Sequence, residues 1–513
     1  MTKNYYITTP IYYPSAKPHM GHAYTSIIAD FFARFKRIDG YDVHFLTGTD
    51  EHGLKIQRAA EKKNLDPLKF CDEISQTFRS LSETLNLSNT DFIRTTEERH
   101  KKTVQHIWTE LEKNDDIYLS KYSGWYSVSD EAYYNDDEIV DKDGKKFSLT
   151  SGSPVEWLEE ESYFFRLKKW QEKLLNFYEN NPEFICPKSR RNEVVSFVKS
   201  GLKDLSISRK SFSWGIKVPN KPDHVIYVWL DALTNYISAL NYPDDKDTLF
   251  KKFWPPSVHL IGKDILRFHA IYWPAFLMAA KITLPKKVYG HGWILSGEEK
   301  MSKSKGNILN PLDIIDTYGL DPLRYYLIKE VSFGNDGNIS QSRLEDCINS
   351  DLANNYGNLC QRVTAFADKN CSSKIPQVEQ FDDEDLIMLD KFALNIGPLR
   401  KEIDNQNINF YINFIVDALF EANKYFNDQE PWKKKDNQKR LNTIVYTALE
   451  MIRKISFMLY PIIPDTIKKT ISIFDLKVED IIFETITNHK YLKAGNQLNQ
   501  IGILFKKIEK KND

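Results

Sequence analysis

The chain has 513 residues, with 70 Lys plus Arg against 71 Asp plus Glu and five cysteines. Such a length exceeds one ordinary core and predicts two to four domains; the balanced charge argues against a small dedicated nucleic-acid binder, so an RNA partner must be held by local basic faces. Cys71, Cys186, Cys347, Cys360 and Cys371 make no C-x-x-C pair, which argues against a disulfide scaffold, and no run of 18 apolar residues is present to span a membrane.

The N-terminus has neither the apolar core of a signal peptide nor the Arg-rich look of a transit peptide, so a cytoplasmic protein is expected. Tyr5-Tyr6-Ile7-Thr8 predicts a strand. A loop with Pro10, Pro14 and Pro18 follows, and Pro18 suits the opening position of a helix. Ile27, Ile28, Phe31, Phe32 and Phe35 recur with helical spacing, and Gly40 is the expected C-terminal cap. Val43-His44-Phe45-Leu46 predicts a buried strand that ends in the polar turn Thr47-Gly48-Thr49-Asp50-Glu51-His52-Gly53. Strand, helix, strand over this length is a parallel βαβ unit, whose ligands sit at the carboxyl ends of the strands.

From about 116 to 222, aromatic, acidic and alternating stretches such as Trp125-Tyr126-Ser127-Val128 predict an inserted α+β domain. Val225-Ile226-Tyr227-Val228, Val258-His259-Leu260-Ile261 and Lys287-Val288-Tyr289-Gly290 read as the second half of the sheet. After about Gln341 the chain is helical: 351–366, 412–425 and 441–460 carry the helical period, which predicts a C-terminal bundle. Lys506 to Lys511 is a charged tail.

Two segments carry phosphate chemistry. His19-Met20-Gly21-His22 falls where the first helix begins, so two imidazoles and backbone N–H groups can face one anion. Gly21, lacking Cβ, admits a flat base or ribose. Alone, the cluster reads equally well as two surface histidines. Lys300-Met301-Ser302-Lys303-Ser304-Lys305-Gly306-Asn307 is the second segment; Lys300 and Lys303 are mobile point charges able to follow charge onto a leaving pyrophosphate. A K/S run alone is usually a solvated loop. Together and in this order, HMGH and KMSKS resemble the two signatures of class I aminoacyl-tRNA synthetases.

Four more segments narrow the resemblance to the methionyl-tRNA synthetases: Thr9-Pro10-Ile11-Tyr12-Tyr13-Pro14, Gly48-Thr49-Asp50-Glu51-His52-Gly53, Tyr227-Val228-Trp229-Leu230-Asp231-Ala232, and the run from His259 through Lys263-Asp264 to Trp273-Pro274. The resemblance covers nearly the whole chain. It implies an α/β fold: a Rossmann-like parallel sheet in two halves, 1–115 and 223–290, separated by a connective-peptide insert at 116–222. A KMSKS and stem-contact region at 291–345 and a helical anticodon-binding domain at 346–513 complete it. It implies methionine–tRNA ligase activity: ATP and L-methionine give methionyl-adenylate and pyrophosphate, and the methionyl group passes to the 3′ end of initiator and elongator tRNA(Met). His19, His22, Lys300 and Lys303 are the implied catalytic residues. Gly21, Lys263, Asp264 and Lys303 match ATP-binding positions, ATP arriving with Mg2+. Asp264 is left open between the ribose, another active-site hydrogen bond and metal.

The methionine positions are Ile11, Tyr13, Asp50, Trp229, Ala232, Leu233, Tyr236, Ile265, His269 and Trp273. A thioether packs well on aromatic rings, at about 0.3–1.5 kcal/mol per contact. Asp50 would pair with the ammonium for roughly 1.5–3 kcal/mol. For the anticodon, Asn358 and Arg362 share one helix face, and Pro431-Trp432 matches a stacking Trp behind a Pro; Lys433, Lys434, Lys435, Lys439 and Arg440 are available for phosphates.

The sequence departs from many relatives at one place. Where a zinc knuckle has two C-x-x-C pairs, it has Ser127-Val128-Ser129-Asp130 and Ser148-Leu149-Thr150-Ser151. Hydroxyls are poor zinc ligands, so the knuckle fold is expected without metal. The chain ends soon after the bundle, and a monomer is expected. Leucine, valine and isoleucine enzymes carry larger editing inserts, and a cysteine enzyme needs a zinc–thiolate site. An inactive tRNA-binding paralogue would have lost His19, His22, Lys300 or Lys303.

Overall fold

The computed structural model describes residues 3–14, 18–130, 132–244, 246, 248–296, 299–300 and 310–509. It divides into two compact units, Asn4–Pro18 with Val43–His291, and Met1–Lys3 with His19–Asp42 and Gly292–Asp513.

In the first unit, apolar runs without alternation form strands covered on both faces, as a parallel sheet requires. The sheet has six strands in the order Asp91–Arg94, Asp42–Thr49, Asn4–Tyr12, Val258–Gly262, Val288–His291, Ile185–Cys186. Its registers are parallel: Leu46 opposite Asp91, Ile7 opposite Val258, Leu260 opposite Tyr289, Val288 opposite Ile185. The edge strand Ile185–Cys186 comes from within the span expected to be an insert. Other strands of that span build an antiparallel sheet around Ile117–Ser127 and Glu156–Phe165, flanked by Leu205–Ser206 and Ala132–Tyr134. A hairpin, Ile139–Lys142 with Lys145–Ser148, turns on Asp143-Gly144, both at positive φ, as a two-residue hairpin turn demands.

One expected strand is corrected. Val225-Ile226-Tyr227-Val228 is not in the parallel sheet. Val225 and Ile226 end the strand Lys221–Ile226 of a small antiparallel sheet, paired with Ser208–Arg209 and Lys217–Val218. Tyr227 is the N-cap, and Val228 the first residue, of helix Val228–Ser238. Four strand-forming residues in a row thus straddle a strand end and a helix start.

In the second unit, helix Met20–Ile38 begins after the N-cap His19, with Pro18 just outside it. Asp39 is the C-cap, and Gly40 follows at φ +82°. The helix is buried nearly all round. Its Asp30 is held by Arg34 Nε at 2.7 Å and Arg324 Nη2 at 2.6 Å, and Arg324 also donates to the carbonyls of Pro461 and Ile462, so the buried charges are fully partnered. Phe31 and Phe35 meet Tyr411 edge-on. The bundle consists mainly of helices Asp383–Asp404, Ile408–Asp428 and Gln438–Leu459. Before them, Ile348–Gly357 is a wide helical stretch that continues as helix Asn358–Asn370. Strand Ile294–Ser296 pairs with Gly337–Ile339 and with Glu299–Lys300. Among the described residues, no helix is long and apolar enough to cross a membrane.

Candidate active site

The amino-acid positions gather in the first unit. Strand Asn4–Tyr12 leads into Tyr13, strand Asp42–Thr49 into Asp50, and strand Val258–Gly262 into Lys263, Asp264 and Ile265. These are carboxyl ends of adjacent or near-adjacent strands. Helix Val228–Ser238 adds Trp229, Ala232, Leu233 and Tyr236, spaced i, i+3, i+4, i+7 and so on one face. His269 and Trp273 come from the helical segment that follows Arg267.

Aromatic packing fixes this region. Trp229 stacks on Phe268, centroids 3.7 Å apart and planes 7° from parallel, and meets His269 edge-on. Tyr236 lies against Trp273 at 6.1 Å. Its hydroxyl donates to His269 Nε2 at 2.7 Å, while His269 Nδ1 donates to the Ile265 carbonyl at 3.0 Å. Burial lowers the His269 pKa to about 4, against a partial opposing effect of the Ile265 bond and Asp264. The ring is therefore neutral at pH 7, with its tautomer set by its two neighbours. Phe268 stands in the 259–273 run that carries the resemblance but is not among the expected methionine positions.

Asp50 is 6 % exposed, and its N–H bonds the Tyr12 carbonyl. The residues that follow it are clamped. Glu51 accepts Arg94 Nε at 2.7 Å and Nη2 at 2.9 Å, and the hydroxyls of Thr96 and Thr49. His52 Nδ1 meets Asp231 Oδ2 at 2.7 Å, and the His52 carbonyl accepts the Tyr13 hydroxyl at 2.8 Å. Asp231 Oδ1 meets His100 Nε2 at 2.7 Å. Burial pushes the Asp231 pKa up, but His52 and His100 outweigh it and the net direction is down. Lys263 is half-buried and Asp264 exposed.

The HMGH residues lie in the second unit. His19 Nδ1 accepts the Gly21 N–H at 3.1 Å, and His22 Nδ1 accepts the His19 N–H at 3.1 Å. This is a reciprocal cap in which two imidazoles replace the usual Ser and Glu. The rings stack at 3.8 Å. With Nδ1 accepting, each neutral ring carries its proton on Nε2 as a donor. Desolvation first, and His19 second, hold the His22 pKa well below its ordinary value. A Cβ on Gly21 would stand 2.9 Å from His19 Cε1, so the glycine makes room for the stacked ring. The Lys300 backbone pairs with Leu295; Lys303 and the rest of the KMSKS run lie outside the described residues.

Of the positions expected to read the anticodon, Arg362 and Trp432 meet on the Phe426 ring of the second unit. Arg362 donates to Asn427 Oδ1 at 2.5 Å and lies over the Phe426 ring; Trp432 meets the same ring edge-on and is 41 % exposed. Pro431 is buried beside it. Asn358, one turn before Arg362, lines a cleft of about 480 Å³ with Asn354, Gln361, Phe505 and Lys506. Three of the basic residues expected to meet phosphates are engaged elsewhere: Arg440 is bound to Asp385 at 2.5 Å and Gln429 at 2.6 Å, Lys439 to Glu379 at 2.8 Å, and Lys433 to Glu430 at 2.8 Å.

The serine-substituted knuckle is a hydrogen-bonded cluster. Ser151, Ser153 and Tyr134 donate to Asp130 at 2.5, 2.8 and 2.7 Å, and Ser127 and Ser129 hydroxyls meet at 3.0 Å. A single carboxylate amid hydroxyls does not fit tetrahedral zinc, which takes thiolate and imidazole. Among the described residues no three His, Cys, Asp or Glu side chains form a metal-binding group.

Residues 5–364 match the family described as tRNA synthetases class I (M), and 375–513 match the anticodon binding domain of methionyl tRNA ligase. The chain is 50 % identical to a methionine–tRNA ligase of Rickettsia felis, over 99 % of both chains. It is 51 % identical to that of Brucella suis, over 92 % of both. Among solved structures, the Mycobacterium tuberculosis methionyl-tRNA synthetase in complex with methionyl-adenylate superposes with a TM-score of 0.96 at 43 % identity. That match covers 98 % of this chain and all of the other.

Proposed function

The chain belongs to the methionyl-tRNA synthetases of class I, ATP-dependent methionine–tRNA ligases, and on that premise we propose which of its residues carry the two half-reactions. The methionine carboxylate attacks the α-phosphate of ATP, pyrophosphate leaves, and methionyl-adenylate forms, the species with which the Mycobacterium tuberculosis enzyme is in complex. The tRNA 3′-terminal hydroxyl then attacks the methionyl carbonyl and AMP leaves.

Asp50 receives the ammonium group. The wall of Trp229, Tyr236, His269 and Trp273, with Ile11, Tyr13, Ala232, Leu233 and Ile265, takes the thioether chain. The neutral His269 places no charge in that wall, which suits an uncharged substrate side chain. His19 and His22 present Nε2–H donors to the phosphate oxygens on which charge develops. Lys300 and Lys303 follow that charge onto pyrophosphate, in a transfer governed by positioning and electrostatics. Gly21, Lys263 and Asp264 hold ATP, which arrives with Mg2+.

Asn358, Arg362 and Trp432 read the anticodon of tRNA(Met), initiator and elongator alike, by stacking and edge hydrogen bonds, with Pro431 supporting the Trp. The 116–222 insert carries a knuckle without zinc, and the enzyme acts as a cytoplasmic monomer. For the domains we keep the limits the resemblance implies as a proposal: sheet halves at 1–115 and 223–290, the insert between them contributing the edge strand Ile185–Cys186, the KMSKS region at 291–345 and the anticodon-binding domain from 346.

The observation that carries the amino-acid assignment is the Trp229–Phe268 stack beside the Tyr236–His269 bond, one rigid apolar wall. Asp50→Asn tests it: loss of roughly 1.5–3 kcal/mol of charge-assisted bonding should raise KM for methionine with KM for ATP unchanged. An unchanged methionine KM contradicts the assignment.

A further inference from the structure

We propose that His52, Asp231 and His100 form a positioning relay that holds the ammonium-binding turn in register with the helix supplying the apolar wall. The proposal rests on the reading of Asp50 and helix Val228–Ser238 given above. None of the three residues is needed to touch substrate.

The geometry is specific. One carboxylate, wholly buried on Asp231, uses each oxygen for a different imidazole: Oδ2 to His52 Nδ1 and Oδ1 to His100 Nε2, both at 2.7 Å. His52 lies two residues after Asp50 in the same turn. Asp231 lies within the helix that carries Trp229, Ala232, Leu233 and Tyr236, but off their face. It shares a face with Ser238, seven residues on, and the Ser238 hydroxyl meets His100 Nδ1 at 2.8 Å. His100 is thereby held at both nitrogens, with its Nε2 proton directed at Asp231. From His52 the link continues through its main-chain carbonyl to the Tyr13 hydroxyl. The His52 ring meets Trp214 edge-on, and Trp214 Nε1 donates to the Glu51 carbonyl at 2.6 Å. Thus the turn on one strand, the Tyr13 loop on a second, and the pocket helix share one hydrogen-bonded path.

Such a path has a functional reason. The methionine site is built from separate segments, and a misplacement of about 1 Å between groups that hold one substrate can cost on the order of a hundredfold. Side-chain packing alone lets a helix slide; charge-assisted bonds at 2.7 Å do not. Plain structural stabilisation would be served as well by apolar residues in these buried positions.

Steady-state ATP–pyrophosphate exchange on the full-length enzyme tests this with a conservative rescue. His100→Leu should raise KM for methionine roughly tenfold to a hundredfold, leaving KM for ATP within about twofold. His100→Gln keeps an N–H near the Nε2 position and should restore most of the loss. His52→Leu and His52→Asn should behave as the matching pair. Equal changes in both KM values, an unchanged methionine KM, or no rescue by Gln and Asn would overturn the relay. Should His100→Leu not fold, Ser238→Ala replaces it: a higher methionine KM supports the relay, and an unchanged one overturns it. Asp50→Asn run in parallel separates the two readings. If it leaves the methionine KM unchanged, the site assignment fails; if it raises that KM while the His100 and His52 variants do not, the relay alone fails.

Discussion

His19 and His22 cap their helix reciprocally, each Nδ1 accepting a main-chain N–H at the helix start at 3.1 Å. The cap fixes the rings through Nδ1, and Nε2–H is the end proposed to meet phosphate. Cap and chemistry can therefore be separated. Gln at position 22 retains a capping side chain but moves the donor. His22→Gln should keep the melting temperature and lower the rate of adenylate formation roughly 10²–10³-fold, the cost of one charge-stabilising donor. Single-turnover kinetics checks it; a full rate would remove His22 from the chemistry. Gly21→Ala should lose both, since its Cβ meets the His19 ring.

Trp432 rests on Phe426 with much of its ring open. Base stacking is worth about 1–3 kcal/mol. Trp432→Ala should lower kcat/KM for tRNA charging about tenfold to a hundredfold and leave pyrophosphate exchange intact. Equal loss of both activities would count against the anticodon assignment.

Asp130 accepts three side-chain hydrogen bonds in the segment where the resemblance implies a knuckle that has lost its zinc ligands. The protein purified and dialysed without chelator should contain no stoichiometric zinc by elemental analysis. Asp130→Ala should lower stability by about 1–3 kcal/mol with no response to added zinc. Zinc at one per chain would contradict this reading.

His269 is neutral and buried, with its pKa down at about 4. The unfolded imidazole titrates near 6.5, so between 6.5 and 4 the unfolded state binds the extra proton and stability falls as pH falls. The contribution is fully present above about 6.5. From about pH 6.5 to 5 the loss amounts to about 2 kcal/mol. Urea unfolding at about pH 7 and pH 5 should show a difference smaller by about that amount in His269→Gln. Identical differences in the two proteins would refute the assignment.

Much of this site is legible in the residues themselves. HMGH, Asp50 and the 259–273 run stand where the chain's period changes, at strand ends and helix starts, and the structure places them there. The failures have physical reasons. Val225–Val228 has strand-forming side chains throughout, yet pairing is non-local and the helix start at Tyr227 overrides propensity. Ile185–Cys186 is too short for any period to show. Arg440 reads as a free cation until Asp385, 55 residues earlier, is placed beside it. His100 is visible in one respect: it sits on the buried stripe of Thr103, Val104, Ile107 and Trp108, a polar residue where the helix period demands an apolar one.

The most direct test of the whole account is ATP–pyrophosphate exchange measured with each of the twenty amino acids in turn. Methionine should support exchange far above every other, with leucine a poor substrate because a difference of methylene size is worth only about 1–3 kcal/mol. Comparable exchange with another amino acid, or none with methionine, would contradict it.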